Sequence, residues 1–257
     1  MDYIDRFERV QDYNLGADSS FGAMIAPELF GSLNSGLLLN ANTSEGTKFS
    51  DRSFARWEFG LNTRAEESGF QNTLARGEFK YYRSFERFMI GDRSLGRHTL
   101  AASVFLDYGN RLDRDREFLA GSDNVVRGYK AKTFAGDKRF GLNLEDRVHF
   151  ADNLFRLVSF GGAVFFDAGA ATNDPLGDLF TDNIYSNVGL GLRFAFPRSS
   201  GGRILRVDIA FPLREGPDGS DVWEPRIVIQ GGQLFDSRLR SESFGPERSN
   251  VEIGLDR

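Results

Sequence analysis

Polar and apolar side chains alternate with a period of two residues along most of this 257-residue chain. A period of two places successive side chains on opposite faces of a β-strand, and helical periodicity is scarce here. In the clearest segment, 204–211, one face carries Leu205, Val207, Ile209 and Phe211, and the other carries Arg206, Asp208 and Ala210. The sequence therefore predicts an all-β fold.

Ten segments show this alternation and are predicted to be strands. They lie near 10–18, 33–43, 54–64, 73–83, 97–109, 139–150, 157–170, 184–196, 203–212 and 225–235. Most approach the roughly 9–11 residues with which a tilted strand crosses a bilayer. Their polar faces carry charges of both signs, which suits a solvent-exposed sheet or the wet interior of a barrel. The repetition of long strands favours a transmembrane antiparallel up-and-down β-barrel, with a soluble β-sandwich or ligand-binding β-barrel as the alternative.

Composition excludes several other classes of protein. The net charge of -5 argues against a nucleic-acid partner, which usually meets a basic surface. The absence of cysteine rules out disulfides and thiolate metal sites. The two histidines, His98 and His149, are far apart, and no nucleotide or nucleophile motif occurs. We therefore expect no metal, no cofactor and no enzymatic activity.

The connection from 110 to 138 is too long for a simple turn and too apolar for simple disorder. It contains Phe118, Val125, Tyr129 and Phe134, so we expect it to pack inside the barrel. The predicted organisation is a lead-in over 1–9, a barrel over 10–235 and a polar tail over 236–257. The first residues lack a secretory signal, so a signal was removed or Met1 lies inside a longer protein.

Several motifs follow one another from this connection onwards. They are LAGSDNVVRGY (119–129), FAGD (134–137), NLEDR (143–147), FFDAG (165–169), GLGLRFAFP (189–197) and LRVDIAFPL (205–213). Their order and spacing resemble the bacterial surface antigen family of outer-membrane barrel-assembly proteins and two-partner secretion transporters. The resemblance is firm over about 95–235 and fainter before it. Any one motif alone would be weak.

The resemblance implies specific roles for residues of these motifs. The family's Val-Arg-Gly-Tyr tetrad corresponds to Val126, Arg127, Gly128 and Tyr129, at the tip of a long loop folded into a sixteen-stranded barrel. A Glu-x-Arg strand, here Glu145 and Arg147, and a Phe-x-Asp-x-Gly strand, here with Asp167 and Gly169, follow it. The chain matches the family's closing strands, so it corresponds to the C-terminal part of such a barrel. Six strands and any periplasmic domains would then lie outside it.

Physical chemistry gives Arg127 a role that does not depend on the family. A guanidinium drawn into a barrel must meet carboxylates, because an unpaired buried charge is very unfavourable. Asp167 and Glu145 are predicted on the polar faces of the next two strands, so we expect one or both to pair with Arg127. Gly128 would allow close backbone approach, and Tyr129 would act as a packed anchor. Further lumenal charges are predicted at Arg193, Arg206 and Asp208.

The resemblance implies translocation or assembly of client proteins in the bacterial outer membrane. Its partners would be membrane lipid, a client or secreted protein, and periplasmic domains. A weak barrel seam is expected at the last strand, where Gly231 and Gly232 interrupt the strand before Phe235. The glycine pair also suits ordinary barrel curvature, so both interpretations stay open. A passive outer-membrane pore or structural barrel is the alternative function.

Overall fold

The computed structural model describes residues 14–31, 35–91, 93–154, 158–181, 183–196 and 204–231. In chain order the strands are β1 (Asp18–Ala26), β2 (Gly36–Ser50), β3 (Ser53–Glu66), β4 (Gly69–Ile90), β5 (Arg93–Asn110), β6 (Phe118–Ala120), β7 (Phe134–Gly136), β8 (Lys138–Leu154), β9 (Val158–Thr172), β10 (Tyr185–Ala195), β11 (Ile204–Pro212) and β12 (Arg226–Gly231). A 3₁₀ turn at Glu28–Phe30 and a short helix, α1 (Leu176–Thr181), complete the elements. None of the helices in these ranges is long and apolar enough to cross a membrane.

Ten strands form one antiparallel sheet in the order β1-β2-β3-β4-β5-β8-β9-β10-β11-β12. The predicted all-β antiparallel class is confirmed. Each strand pairs with its neighbours in the chain, apart from β6 and β7, which form a separate two-stranded sheet within the long connection. Among the described strands, β1 pairs only with β2 and β12 only with β11. Closure of the sheet into a barrel therefore stays a prediction.

The first strand differs from its prediction near 10–18. Residues 14–17 are irregular, and β1 begins at Asp18. The irregular segment is tied to the sheet by other contacts: the Gly46 N–H donates to the Leu15 carbonyl, and Arg56 donates to the Asn14 carbonyl. Each of these hydrogen bonds involves a single carbonyl of the segment, so residues 14–17 do not form the regular ladder of a strand. Residues 10–13, the lead-in 1–9 and the tail 236–257 lie outside the described residues.

One face of the sheet combines charge with burial, and we call it the interior face. Its buried polar residues include Asn143, Glu145, Arg147 and His149 on β8, Asp167 on β9, Asn187 and Arg193 on β10, and Arg206 and Asp208 on β11. The opposite face is apolar and exposed: Leu190 is 59% exposed and Ile209 is 41% exposed. Soluble proteins show the reverse arrangement, because charged groups are hydrated outside and apolar groups are buried. An apolar outer face of this kind is typical of contact with lipid.

The connection between β5 and β8, residues 111–137, covers part of the interior face. Its apolar side chains pack with residues of β5, β9 and α1 in one buried cluster: Phe105, Ala120, Val125, Val126, Tyr129, Phe134, Ala170, Ala171 and Leu179. Such burial offsets the loss of conformational entropy in a connection of this length. We call this segment the long connection. It brings residues 125–128 into contact with the interior face of β8 to β11.

Candidate interior lock on the long connection

The tip of the long connection is a tight turn at Gly121. The Gly121 carbonyl accepts hydrogen bonds from the N–H groups of Val125 and Val126, each at 3.0 Å. The Asn124 side chain closes the turn further by accepting from the Gly121 N–H at 3.1 Å. The turn directs the next residues onto the sheet, and Val125, Val126 and Arg127 are completely buried.

Arg127 lies at the centre of three carboxylates. Its Nε and Nη2 donate to the two oxygens of Asp167, each at 2.8 Å. Its Nη1 donates to Glu145 at 2.6 Å and to Asp208 at 3.0 Å. The guanidinium carbon also lies 3.4 Å from the centroid of the Phe165 ring, so the cation stacks on an aromatic face. All these groups are buried, which strengthens the electrostatic attraction and also makes the loss of one partner severe.

Two asparagines hold the Asp167 carboxylate for Arg127. Asn143 on β8 and Asn187 on β10 flank Asp167 in the strand register and donate to its oxygens at 2.8 and 2.9 Å. The same side chains reach the long connection. Asn143 donates to the Val125 carbonyl at 2.8 Å, and Asn187 accepts from the Gly128 N–H at 3.1 Å. The backbone on both sides of Arg127 is therefore fixed by the same row that positions its main partner.

Two glycines of the motifs allow this close approach. A Cβ on Gly128 would lie 2.7 Å from the Asn187 Cβ and 3.2 Å from the Pro212 nitrogen. A Cβ on Gly169 would lie 2.6 Å from the Val125 side chain and closer still to the Phe140 carbonyl oxygen on β8. Real Cβ atoms do not approach other atoms so closely. A larger residue at Gly128 would therefore displace the long connection from the sheet, and one at Gly169 would press on both the long connection and β8.

Tyr129 anchors the segment at the rim of the sheet. Its ring packs edge-on against Phe134 and Tyr185, with centroids 5.5 Å apart in both pairs. Its hydroxyl lies within hydrogen-bond distance of two carbonyls, Ser186 at 3.1 Å and Arg214 at 2.9 Å. Burial raises the pKa of Tyr129 to about 12, although these carbonyl contacts act against that rise. The phenol therefore stays protonated and able to donate at physiological pH.

The connection between β11 and β12, residues 213–225, forms a second contact with the long connection. Asp218 accepts from the Lys130 N–H at 2.6 Å and lies 3.3 Å from the Thr133 hydroxyl. Ser220 also donates to Asp218 through its N–H and its hydroxyl. Burial alone would raise the pKa of Asp218, but the hydrogen bonds from Lys130 and Ser220 outweigh it and lower the pKa.

The remaining predicted charges surround the Arg127 cluster. Arg147 donates to Glu145 at 2.8 Å. Arg193 forms a short ion pair with Asp208 and lies 3.4 Å from Glu145. Arg206 forms a short hydrogen bond with the Gln230 side-chain oxygen. The structure thus gathers the predicted residues 126–129, 145, 147, 167, 169, 193, 206 and 208 into one region of the interior face.

The predicted seam residues are not brought into this region. Gly231 ends β12 and is exposed, and an added Cβ there would meet nothing within 4 Å. Gly232 and Phe235 lie outside the described residues.

Some contacts were missed by sequence reasoning. Asp208 was predicted to be a lumenal charge, and no partner was predicted for it. In the structure it is the third carboxylate that pairs with Arg127. The contacts of Asn143 and Asn187 were also missed. Both residues lie on the polar faces of alternating segments, and this alternation was the signal that could have identified them as interior residues. The Phe165 stack and the Asp218 contact had no sequence signal, because both depend on how strands and loops approach in space.

Comparison with known protein families identifies the superfamily of this chain. Residues 50–235 match the family model described as the Omp85 superfamily domain. No curated protein matches the chain. The matched range includes β3 to β12, the long connection and every residue of the Arg127 cluster. Members of that superfamily are bacterial outer-membrane proteins that translocate or assemble other proteins.

Proposed function

Because this chain belongs to the Omp85 superfamily, we propose that it forms the ten C-terminal strands of a sixteen-stranded outer-membrane barrel that translocates or assembles client proteins. The long connection is folded into the barrel interior and locked there by Arg127. The barrel opens for clients at the seam beside β12. Membrane lipid, client polypeptides and periplasmic domains outside this chain are its partners.

The distribution of polarity supports the barrel. Charged side chains lie on the interior face, and large apolar side chains such as Leu190 and Ile209 lie outside. A barrel in a membrane satisfies both sets, because lipid covers the apolar face and the six strands outside this chain pair with the free edges of β1 and β12. A free edge in hydrocarbon would leave backbone N–H and carbonyl groups without partners.

The single observation that carries the proposal is that the buried Arg127 forms ion pairs with three carboxylates. A pore that only needed to be filled would be filled by apolar packing, which is often as stable as a buried ion pair. A charged cluster instead gives a defined, all-or-none contact. We propose that its release accompanies client passage, whereas a passive pore needs no such contact.

Transport by reconstituted protein tests this role. The native protein, purified from its source membrane, would be placed in liposomes, and insertion or passage of an unfolded outer-membrane client would be followed by protease protection. We expect Arg127→Ala to impair client handling severely and to raise ion conductance. Arg114→Ala, at an exposed position of the same connection, is the matched control. Normal client handling by Arg127→Ala, with only conductance changed, would favour the passive pore.

The intact mass of the native protein tests the sixteen-stranded assignment. A mass well above 28.8 kDa is expected if further strands and periplasmic domains belong to the same polypeptide. A mass near 28.8 kDa would contradict that assignment and favour a short stand-alone barrel.

A further inference from the structure

A row of directly paired residues on the interior face is basic from β4 to β12. It runs from Arg87 and Arg97 through His149 to Arg193, Arg206 and Gln230, with a glycine contributed by β9. We call it the basic row. It contains four arginines and no carboxylate. Like charges at directly opposed positions of a sheet repel one another, and Arg193 and Arg206 oppose each other directly.

Carboxylates reach only part of the buried end of this row. Arg193 is paired with Asp208 and lies near Glu145. Arg206 is 3% exposed, and its hydrogen-bond partner is the neutral side chain of Gln230. Within the ranges that the structure describes, Nε and Nη1 of Arg206 and Nε of Arg193 have no hydrogen-bond partner. Buried N–H groups of a cation are rarely left in this state.

The charge of Arg206 has no carboxylate of its own among the described residues. Arg206 directly opposes Arg193 in the sheet, and Asp208, on the same strand as Arg206, already accepts from Arg127 and Arg193. Water can satisfy the N–H groups but cannot neutralise that charge. A single negative charge near Arg206 would do both.

We propose that Arg193 and Arg206 form an interior binding site for one small, singly charged anion, either a carboxylate or a halide. The site lies between β10, β11 and β12. It is bounded on the side of the long connection by Gln230, which donates to the Ser122 carbonyl at 3.3 Å. The anion comes from solution as a free ion, or it is the carboxylate of a polypeptide strand lying along β12. Both sources present the same chemistry to the two guanidinium groups.

Anion-dependent stability of the full chain tests this site. Chloride or formate would be titrated at constant ionic strength in detergent, with gluconate as the bulkier balancing anion. We expect the thermal unfolding midpoint to rise with the logarithm of the chloride or formate concentration, as for one ligand bound to the folded state. Arg206→Gln should abolish this rise, Arg206→Lys should retain part of it, and Arg114→Gln should leave it unchanged.

Direct binding to the unaltered protein provides a second measurement, independent of any variant's ability to fold. The chloride NMR line should broaden in the presence of the protein, and formate should reverse the broadening by competition. A strand-forming peptide with one glutamate, compared with its glutamine counterpart, then distinguishes the sources. Displacement of chloride by the glutamate peptide alone identifies a polypeptide carboxylate, and displacement by neither peptide identifies a free ion.

Two results would overturn the inference. One is an unfolding midpoint and a chloride line width that do not respond to chloride or formate. The other is the same response in the wild-type protein and in Arg206→Gln, which would indicate a general salt effect. Neither result bears on client transport or on the Arg127 lock, which are tested separately by Arg127→Ala.

Discussion

The guanidinium of Arg127 and the carboxylate of Asp167 form two parallel hydrogen bonds of 2.8 Å, and neither side chain is exposed. This two-point geometry fixes orientation as well as distance, because a planar fork meets a planar carboxylate. The two residues are 40 positions apart, so the pair ties the long connection to β9. The lock is therefore a contact between two elements that could otherwise separate.

Replacement of Arg127 by alanine should release the long connection. The change leaves Asp167, Glu145 and Asp208 without their shared cation, and breaking a buried ion pair costs roughly 3–5 kcal/mol. We expect limited proteolysis of the folded protein to cut residues 111–137 much faster than in the wild type. Arg114→Ala, which removes an exposed arginine from the same connection, should not change the rate. Equal cleavage rates in Arg127→Ala and the wild type would show that Arg127 does not hold the long connection in place.

Asp167→Asn should loosen the connection in the same way, and the two changes should not add. Since each residue is the other's main partner, the loss in the double variant should fall short of the sum. We expect an interaction free energy of roughly 0.5–3 kcal/mol in a double-mutant cycle of unfolding. Strictly additive effects would mean that Arg127 and Asp167 stabilise the fold independently.

Gly128→Ala should be destabilising although it adds only one methyl group. The new Cβ would lie 2.7 Å from the Asn187 Cβ, and relief requires the long connection to move. Overpacking of this kind costs about 1–3 kcal/mol. Gly177→Ala is the control, because its Cβ would meet nothing within 4 Å and the residue lies in α1. Denaturant unfolding measures both, and an equal midpoint for the two variants would contradict the close approach.

Alternation in the sequence predicted which face each strand residue takes, as Arg206 and Asp208 show. It also predicted that Glu145 and Asp167 lie on the interior face, which is the face that Arg127 contacts. The alternation could not predict which residues of non-adjacent strands lie side by side across the sheet, because that depends on the register of every strand between them. Asp208, two strands away from Asp167, was therefore not recognised as a third partner of Arg127.

The irregular start of the chain illustrates a second limit. Residues 10–18 alternate like a strand, yet 14–17 are held by single hydrogen bonds to β2 and β3 and form no ladder. A local pattern shows that a strand is possible, whereas pairing requires a neighbour in the right register. The Asp218 contact with Lys130 was likewise unpredictable, since it joins two loops 88 residues apart.

Acid should release the outer part of the long connection through Asp218. The pKa of this group is lowered in the folded protein, so its contribution to stability is complete above the unfolded pKa of about 4. The contribution is lost as the pH falls through the lower, folded value. We therefore expect cleavage of the 129–134 segment to increase only below about pH 4, when tested with an acid-active protease. Asp218→Asn should show faster cleavage already at neutral pH and no further acid response there. A pH profile shared by both proteins would assign the transition to other groups.

Valine at both Gly231 and Gly232 tests the seam. An added Cβ at Gly231 meets nothing within 4 Å, so this position is open to substitution. Valine favours extended backbone and removes the flexibility of glycine, so it should strengthen the edge of β12 against opening. If clients enter at this edge, the double variant should fold with an unchanged or higher unfolding midpoint and handle clients more slowly. Gly77→Val, at another open position on β4, is the matched control. Full client handling by a normally folded Gly231→Val, Gly232→Val protein would show that the glycines serve curvature alone.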